Sequence, residues 1–133
     1  MRTSEHTEEN LDRIAKYLGF EKEPKWLTLR FAIFTSLSLD EKINNDSSID
    51  FTGGKSYAWD VLTGKSKNEL HGDQADYHNL MALIVANNDN TQISNDKDFE
   101  KALEYHCERG FNILASSWKD KSDVFEWLGQ EFK

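Results

Sequence analysis

The chain is short of the features that would place it outside the cell, in a membrane or among common enzymes. Its 133 residues hold one cysteine, Cys107, and one proline, Pro24. A lone cysteine closes no internal disulfide and makes no paired-cysteine zinc signature, which points to a reducing, cytoplasmic setting. No apolar run approaches the ~18 residues that a membrane helix needs. The opening MRTSEHTEEN has no apolar signal core and is too acidic for a transit peptide. Catalytic signatures are missing as well. G-G-K-S at 53–56 and T-G-K-S at 63–66 lack the leading glycine and the gap of a phosphate cradle. Neither G-x-S-x-G nor H-E-x-x-H occurs. His71, His78, His106 and Cys107 are candidate soft ligands, but the adjacent His106 and Cys107 point about 100° apart on a helix. His106 is expected to border the core and bond locally, with Cys107 packed as a small hydrophobe. The expectation is a protein without catalysis, cofactor or metal.

What is present describes a folded domain. A hydrophobic share of 38% with 12% aromatics is enough for a core, and 133 residues make one domain, 1–133. The net charge of −8 argues against a free-standing, tight DNA binder, which would show a basic face. That charge is uneven: residues 1–50 carry −3, residues 51–67 carry +2, and residues 68–133 carry −7. The middle island, D-F-T-G-G-K-S-Y-A-W-D-V-L-T-G-K at 50–65, brings glycines and lysines together. Glycine permits positive φ and close approach, so the segment reads either as a structured connector or as a binding loop.

Hydrophobic spacing gives an all-α class of about five helices around an irregular glycine/lysine-rich connector, with a short strand allowed at the extreme N-terminus. Thr3 or Ser4 caps the first helix, glutamates fill its first turn, Leu11, Ile14, Ala15 and Leu18 make its apolar face, and Gly19 ends it. The second helix starts near Pro24 and runs to about Leu39, apolar around most of its circumference and therefore either central or an interface. A third spans roughly Asp73–Ala86. A fourth runs from the Ser94–Asp96 cap region to about Ser117, with its stripe interrupted at Gly110, and a short fifth lies near Ser122–Phe132. Asp96, Asp98, Glu100, Glu104 and Glu108 read as a solvated face of the fourth helix, or as a docking face.

The cations that could meet an anion are Lys16, Lys22, Lys25, Lys55, Lys65 and Lys67, with Arg13 and Arg30 nearby in sequence. Lys22 and Lys25 flank the start of the second helix, where free N–H groups favour an anion. Trp26 and Trp59 can stack on bases, sit over cations or pack in the core.

These pieces resemble the DndE family, the small protein of bacterial DNA phosphorothioation (sulfur modification) systems. The resemblance is carried by R-T-S-E-H-T-E-E-N-L-D-R-I-A-K-Y-L-G, L-T-L-R-F-A-I-F-T-S-L-S-L, G-G-K-S-Y-A-W-D-V-L-T-G-K and H-C-E-R-G-F-N-I-L, in that order across residues 2–115. It implies an all-α subunit of a homotetramer acting beside sulfurtransferase-like and ATPase subunits. It also implies binding of nicked double-stranded DNA through surface lysines, without catalysis. Lys16, Lys55 and Lys65 lie inside matching motifs; Lys22, Lys25 and Lys67 are added from charge alone. The acidic balance sustains an alternative, a protein-interaction adaptor with no DNA contact. A ribbon-helix-helix regulator is a further alternative, with Arg2 as its one base reader.

Overall fold

The structure, a computed structural model, describes residues 1–39, 49–58, 62, 78–89, 93–120, 123, 126 and 127. Within them the architecture is all-α: α1 (Glu5–Leu18), α2 (Lys25–Leu37), α3 (His78–Asp89) and α4 (Asp96–Ser117). Most of the expected fifth helix, and residues 73–77 of the expected third, lie outside the described residues. No described helix is long and apolar enough to cross a membrane.

Local chemistry sets the helix ends. Ser4, in extended conformation, accepts from the Thr7 N–H at 3.1 Å, and Glu5 and Glu8 put negative charge at the positive end of α1. Gly19 ends that helix at φ 77°, where the Gly19 and Phe20 N–H groups close onto Lys16 and Ala15 carbonyls. Pro24 precedes α2, and Asn95 caps α4 through the Asp98 N–H at 2.8 Å.

Packing centres on the crossing of α2 and α4. Leu29, Ala32 and Ile33 from α2 meet Phe99, Leu103, Cys107, Phe111 and Leu114 from α4, all buried, while Leu11 and Ile14 of α1, Met81 and Val85 of α3, and Leu62 complete the core. The crossing is tight because of Gly110. A Cβ there would sit 1.9 Å from the Ala32 carbonyl oxygen, so no other residue lets the backbones approach this closely. The glycine that interrupts the apolar stripe therefore leaves the helix continuous and seats α2 upon it. Trp118, fully buried, closes the end of α4, tilted against Phe31 and edge-on to Trp127.

The N-terminal residues lie along the glycine-rich segment. Thr3 N–H donates to the Lys55 carbonyl at 2.9 Å, and Tyr57 N–H donates to the Met1 carbonyl at 2.7 Å. Among the described residues one antiparallel bridge, Arg2 to Ser56, stands where a short N-terminal strand was allowed for. A turn feeds this pairing: the Asp50 carboxylate accepts from Thr52 N–H, Gly53 takes φ 82°, and Gly54 lets the Thr3 carbonyl pass where a Cβ would lie 1.7 Å from it. Residues 50–58 are thus held against the N-terminal segment, with Gly54 required by close approach and Gly53 by its positive φ. A ribbon-helix-helix arrangement would need the N-terminal segment, residues 1–4, to pair with a second copy. Here its backbone is engaged within its own chain, by residues 55–57 on one side and by Glu104, which accepts from Arg2 N–H at 2.6 Å, on the other.

Candidate nucleic-acid interface

Of the six lysines named from the sequence, the four among the described residues do not form one patch. Lys16 is exposed in the last turn of α1, and Lys22 and Lys25 are exposed in the connection to α2 and its first residue. No described residue forms an ion pair with any of the three, although the exposed Glu21 and Glu23 lie between them. Lys55 sits at the opposite end of α1, roughly 20 Å away at 1.5 Å per helical residue. It reaches toward Glu8 at 3.9 Å with its side chain 60% exposed. Lys65, Lys67 and Trp59 lie outside the described residues.

Two arginines of the same region have structural duties. Arg13 donates to the Trp118 carbonyl, to the Ala115 carbonyl at 3.3 Å and to Asn10 at 2.8 Å, fastening α1 to the open end of α4. Arg30 donates to the Leu62 carbonyl at 2.8 Å and lies over the Trp26 ring, which gives that tryptophan a cation to cover.

The acidic stripe of α4 departs from the expected solvated face. Glu100, Glu104 and Glu108 point at the N-terminal segment and bond it one after another. The Met1 ammonium lies 2.8 Å from Glu100, Arg2 Nε 2.9 Å from Glu104, and the Ser4 and Thr7 hydroxyls donate to Glu108 at 2.7 and 3.0 Å. Glu104 is buried, and its carboxylate raises the pKa of the Arg2 guanidinium through that hydrogen bond and its charge. Beside this row, Tyr57 donates to Glu8 at 2.9 Å; burial first, and then that carboxylate, raises the pKa of its phenol. Asp96 and Asp98 alone of the stripe remain exposed.

Docking of the N-terminal segment on α4 also forms a pocket of about 300 Å³, bounded by Arg2, Phe51, Lys97, Lys101, Glu104 and Tyr105 among others. Sequence reasoning missed this gathering of cations. The i, i+4 spacing of Lys97 and Lys101 was visible, but Arg2 and Phe51 reach them only through tertiary contact.

A buried chain of polar groups joins three helices. Ser36 Oγ of α2 lies 2.8 Å from His106 Nδ1 of α4, and His106 Nε2 lies 3.0 Å from both oxygens of Asp89 at the end of α3. The histidine therefore bonds far along the chain, where local partners had been expected. Burial lowers its pKa, with Asp89 opposing that shift and Arg109 adding to it, so a neutral ring accepts the Ser36 proton and donates to Asp89. Serine, histidine and aspartate in a row suggest nucleophilic catalysis, but Ser36 and His106 are fully buried, so substrate has no approach to the hydroxyl. Cys107 is buried beside it with its pKa raised by that burial, as expected of an inert packing thiol. No group of three or more potential metal ligands comes together among the described residues.

Fold and surface define a small all-α protein with separated clusters of exposed cations and no accessible catalytic constellation among the described residues. Residues 1–122 match the family model for DndE, the DNA sulphur modification protein, and the chain belongs to that family. No curated protein and no solved structure matches it.

Proposed function

We propose that this chain is a non-catalytic subunit of a bacterial DNA phosphorothioation system that binds double-stranded DNA, nicked duplex included, through surface lysines. The observation that carries the reading is the exposed set Lys16, Lys22 and Lys25 at one connection of the fold, in a member of a DNA sulphur modification family. Lys55 adds a weaker contact because Glu8 shares its charge; Lys65 extends the set from within a matching motif, and Lys67 by charge alone. Binding of this kind is electrostatic and indifferent to sequence, and it weakens steeply with salt. The subunit works in the cytoplasm as a homotetramer beside sulfurtransferase-like and ATPase subunits. Phe34, Leu83 and Ile84, exposed at 40%, 67% and 37%, supply apolar surface for the self-association.

Salt-titrated binding to intact and nicked duplex, with light scattering on the same sample, tests the reading. A tetramer that prefers the nick and releases it as salt rises is the expected result. A tetramer with no affinity near physiological salt would overturn the DNA contact and leave an adaptor. The adaptor reading drew on the acidic half of the chain, and Glu104 and Glu108 are now known to bond the N-terminal segment internally. Neutralising residues 96–108 as a block would therefore disturb the fold, so the adaptor reading is tested by neutralising Asp96 and Asp98 alone and asking whether a basic ATPase or sulfurtransferase-like subunit still co-purifies.

A further inference from the structure

The pocket between the N-terminal segment and α4 is separate from the lysines of the α1–α2 connection. Its volume of about 300 Å³ stands at the lower end of small-ligand sites, roughly 300–1,000 Å³. Two kinds of group converge on it. Arg2 lays its guanidinium over the Phe51 ring, 4.2 Å from the centroid, giving a cationic stack, and Tyr105 supplies a second ring with the Lys101 ammonium 5.9 Å from its centroid. Lys97 and Lys101, exposed and one helical turn apart, add two ammonium groups that no described residue pairs with a carboxylate. The carboxylates in the wall do not cancel them. Glu104 is matched by Arg2 at 2.9 Å, and Glu100 lies 2.8 Å from the Met1 ammonium. What remains is a site with positive charge on one part and planar apolar surface on another.

We infer that this pocket takes one unstacked nucleotide, its phosphate on Lys97 and Lys101 and its base against the Arg2–Phe51 stack and Tyr105. A simple inorganic anion would leave the rings unused, and an uncharged aromatic would leave the Lys97 charge unmatched. Stacking on aromatic rings tolerates every base, so no base preference is expected. A free mononucleotide and a nucleotide within a single strand share this chemistry; the strand source rests on the DNA-binding reading above, the free source does not.

The test titrates the full chain with deoxyadenosine monophosphate, deoxyadenosine, inorganic phosphate and a short oligothymidylate, following affinity by calorimetry. The mononucleotide is expected to bind more tightly than nucleoside or phosphate. The Lys97→Gln/Lys101→Gln pair should weaken it about tenfold, and Phe51→Leu about fivefold or more, with melting curves confirming that both variants fold. Tighter binding of the oligonucleotide, lost in the same variants, assigns the pocket to a strand; mononucleotide binding without it assigns the pocket to a free nucleotide. A mononucleotide that binds no better than phosphate, or that binds both variants as it binds the parent, overturns the inference. This readout contains no duplex, so its failure leaves the lysine interface standing. Failure of salt-dependent duplex binding likewise leaves the pocket standing.

Discussion

The two ends of α1 carry comparable polarity and use it in opposite ways. At the N-terminal end Arg2, Ser4, Thr7 and Glu8 are tied to Glu104, Glu108, Tyr57 and Lys55, so the charges there hold the chain together. At the C-terminal end Lys16, Lys22 and Lys25 stand exposed with no ion pair among the described residues. Carboxylates and hydroxyls placed in register across a helix pair satisfy one another. Cations strung along a connection, with Glu21 and Glu23 between them, find no such match among the described residues. The lesson is that residue type alone does not assign charge to fold or to function. Arg13 is a structural cation; Lys22 and Lys25 are surface ones.

The contrast predicts effects of decreasing size. The α2–α4 crossing is the frame for both ends, and Gly110→Ala forces a Cβ into the Ala32 carbonyl. The expected cost is about 3 kcal/mol, seen as a fall of roughly 10 °C in melting midpoint. An unchanged midpoint would mean that the helices cross with room to spare. At the N-terminal end, Glu104→Ala removes hydrogen bonds from the Arg2 backbone and guanidinium. Because Arg2 is largely exposed, a loss of only about 1–2 kcal/mol in chemical denaturation is expected. A neutral result would show the acidic stripe to be a surface after all.

The buried histidine supplies a pH-dependent effect. Its pKa is lowered in the folded state, so between that value and its unfolded value near ~6.5 the unfolded chain binds the extra proton. Stability is therefore complete above about 6.5 and declines as pH falls through the folded pKa. Melting midpoints taken across this window should drop for the parent chain and drop less for His106→Gln. Equal slopes would show that this ring does not titrate on unfolding.

The smallest effects belong to the exposed end. Lys22→Ala and Lys25→Ala should leave the folding stability within ~0.5 kcal/mol of the parent's. Each should flatten the salt dependence of duplex binding by about one unit. Salt slopes identical to the parent's in both variants would remove these residues from the interface.

Much of the frame was legible because it is decided locally. Ser4 and Gly19 bracket α1, Pro24 marks the start of α2 and Asn95 that of α4, since a cap depends on residues within a turn of one another. The site was less legible. Exposure of Lys16, Lys22 and Lys25 followed from hydrophilicity. The glutamates four apart on α4 read as a solvated row because their partners lie about a hundred residues earlier. His106 was expected to bond nearby, and it bonds Ser36 from 70 positions away. Phe111 escaped notice in a stripe that looked broken at Gly110, although the glycine is what allows α2 to seat there.

The amino-acid sequence by itself determined the all-α class, the helix caps and the membership in a DNA sulphur modification family, because each depends on short-range order along the chain. Only the tertiary structure decided which charges are internal, why the glycines at 54 and 110 have no substitute, and that Arg2 and Phe51 meet Lys97 and Lys101 around one pocket. The physical reason is distance along the chain. A cap is a contact within one turn, whereas an ion pair, a backbone crossing or a pocket wall joins residues that only the packing of whole helices brings within a few ångströms.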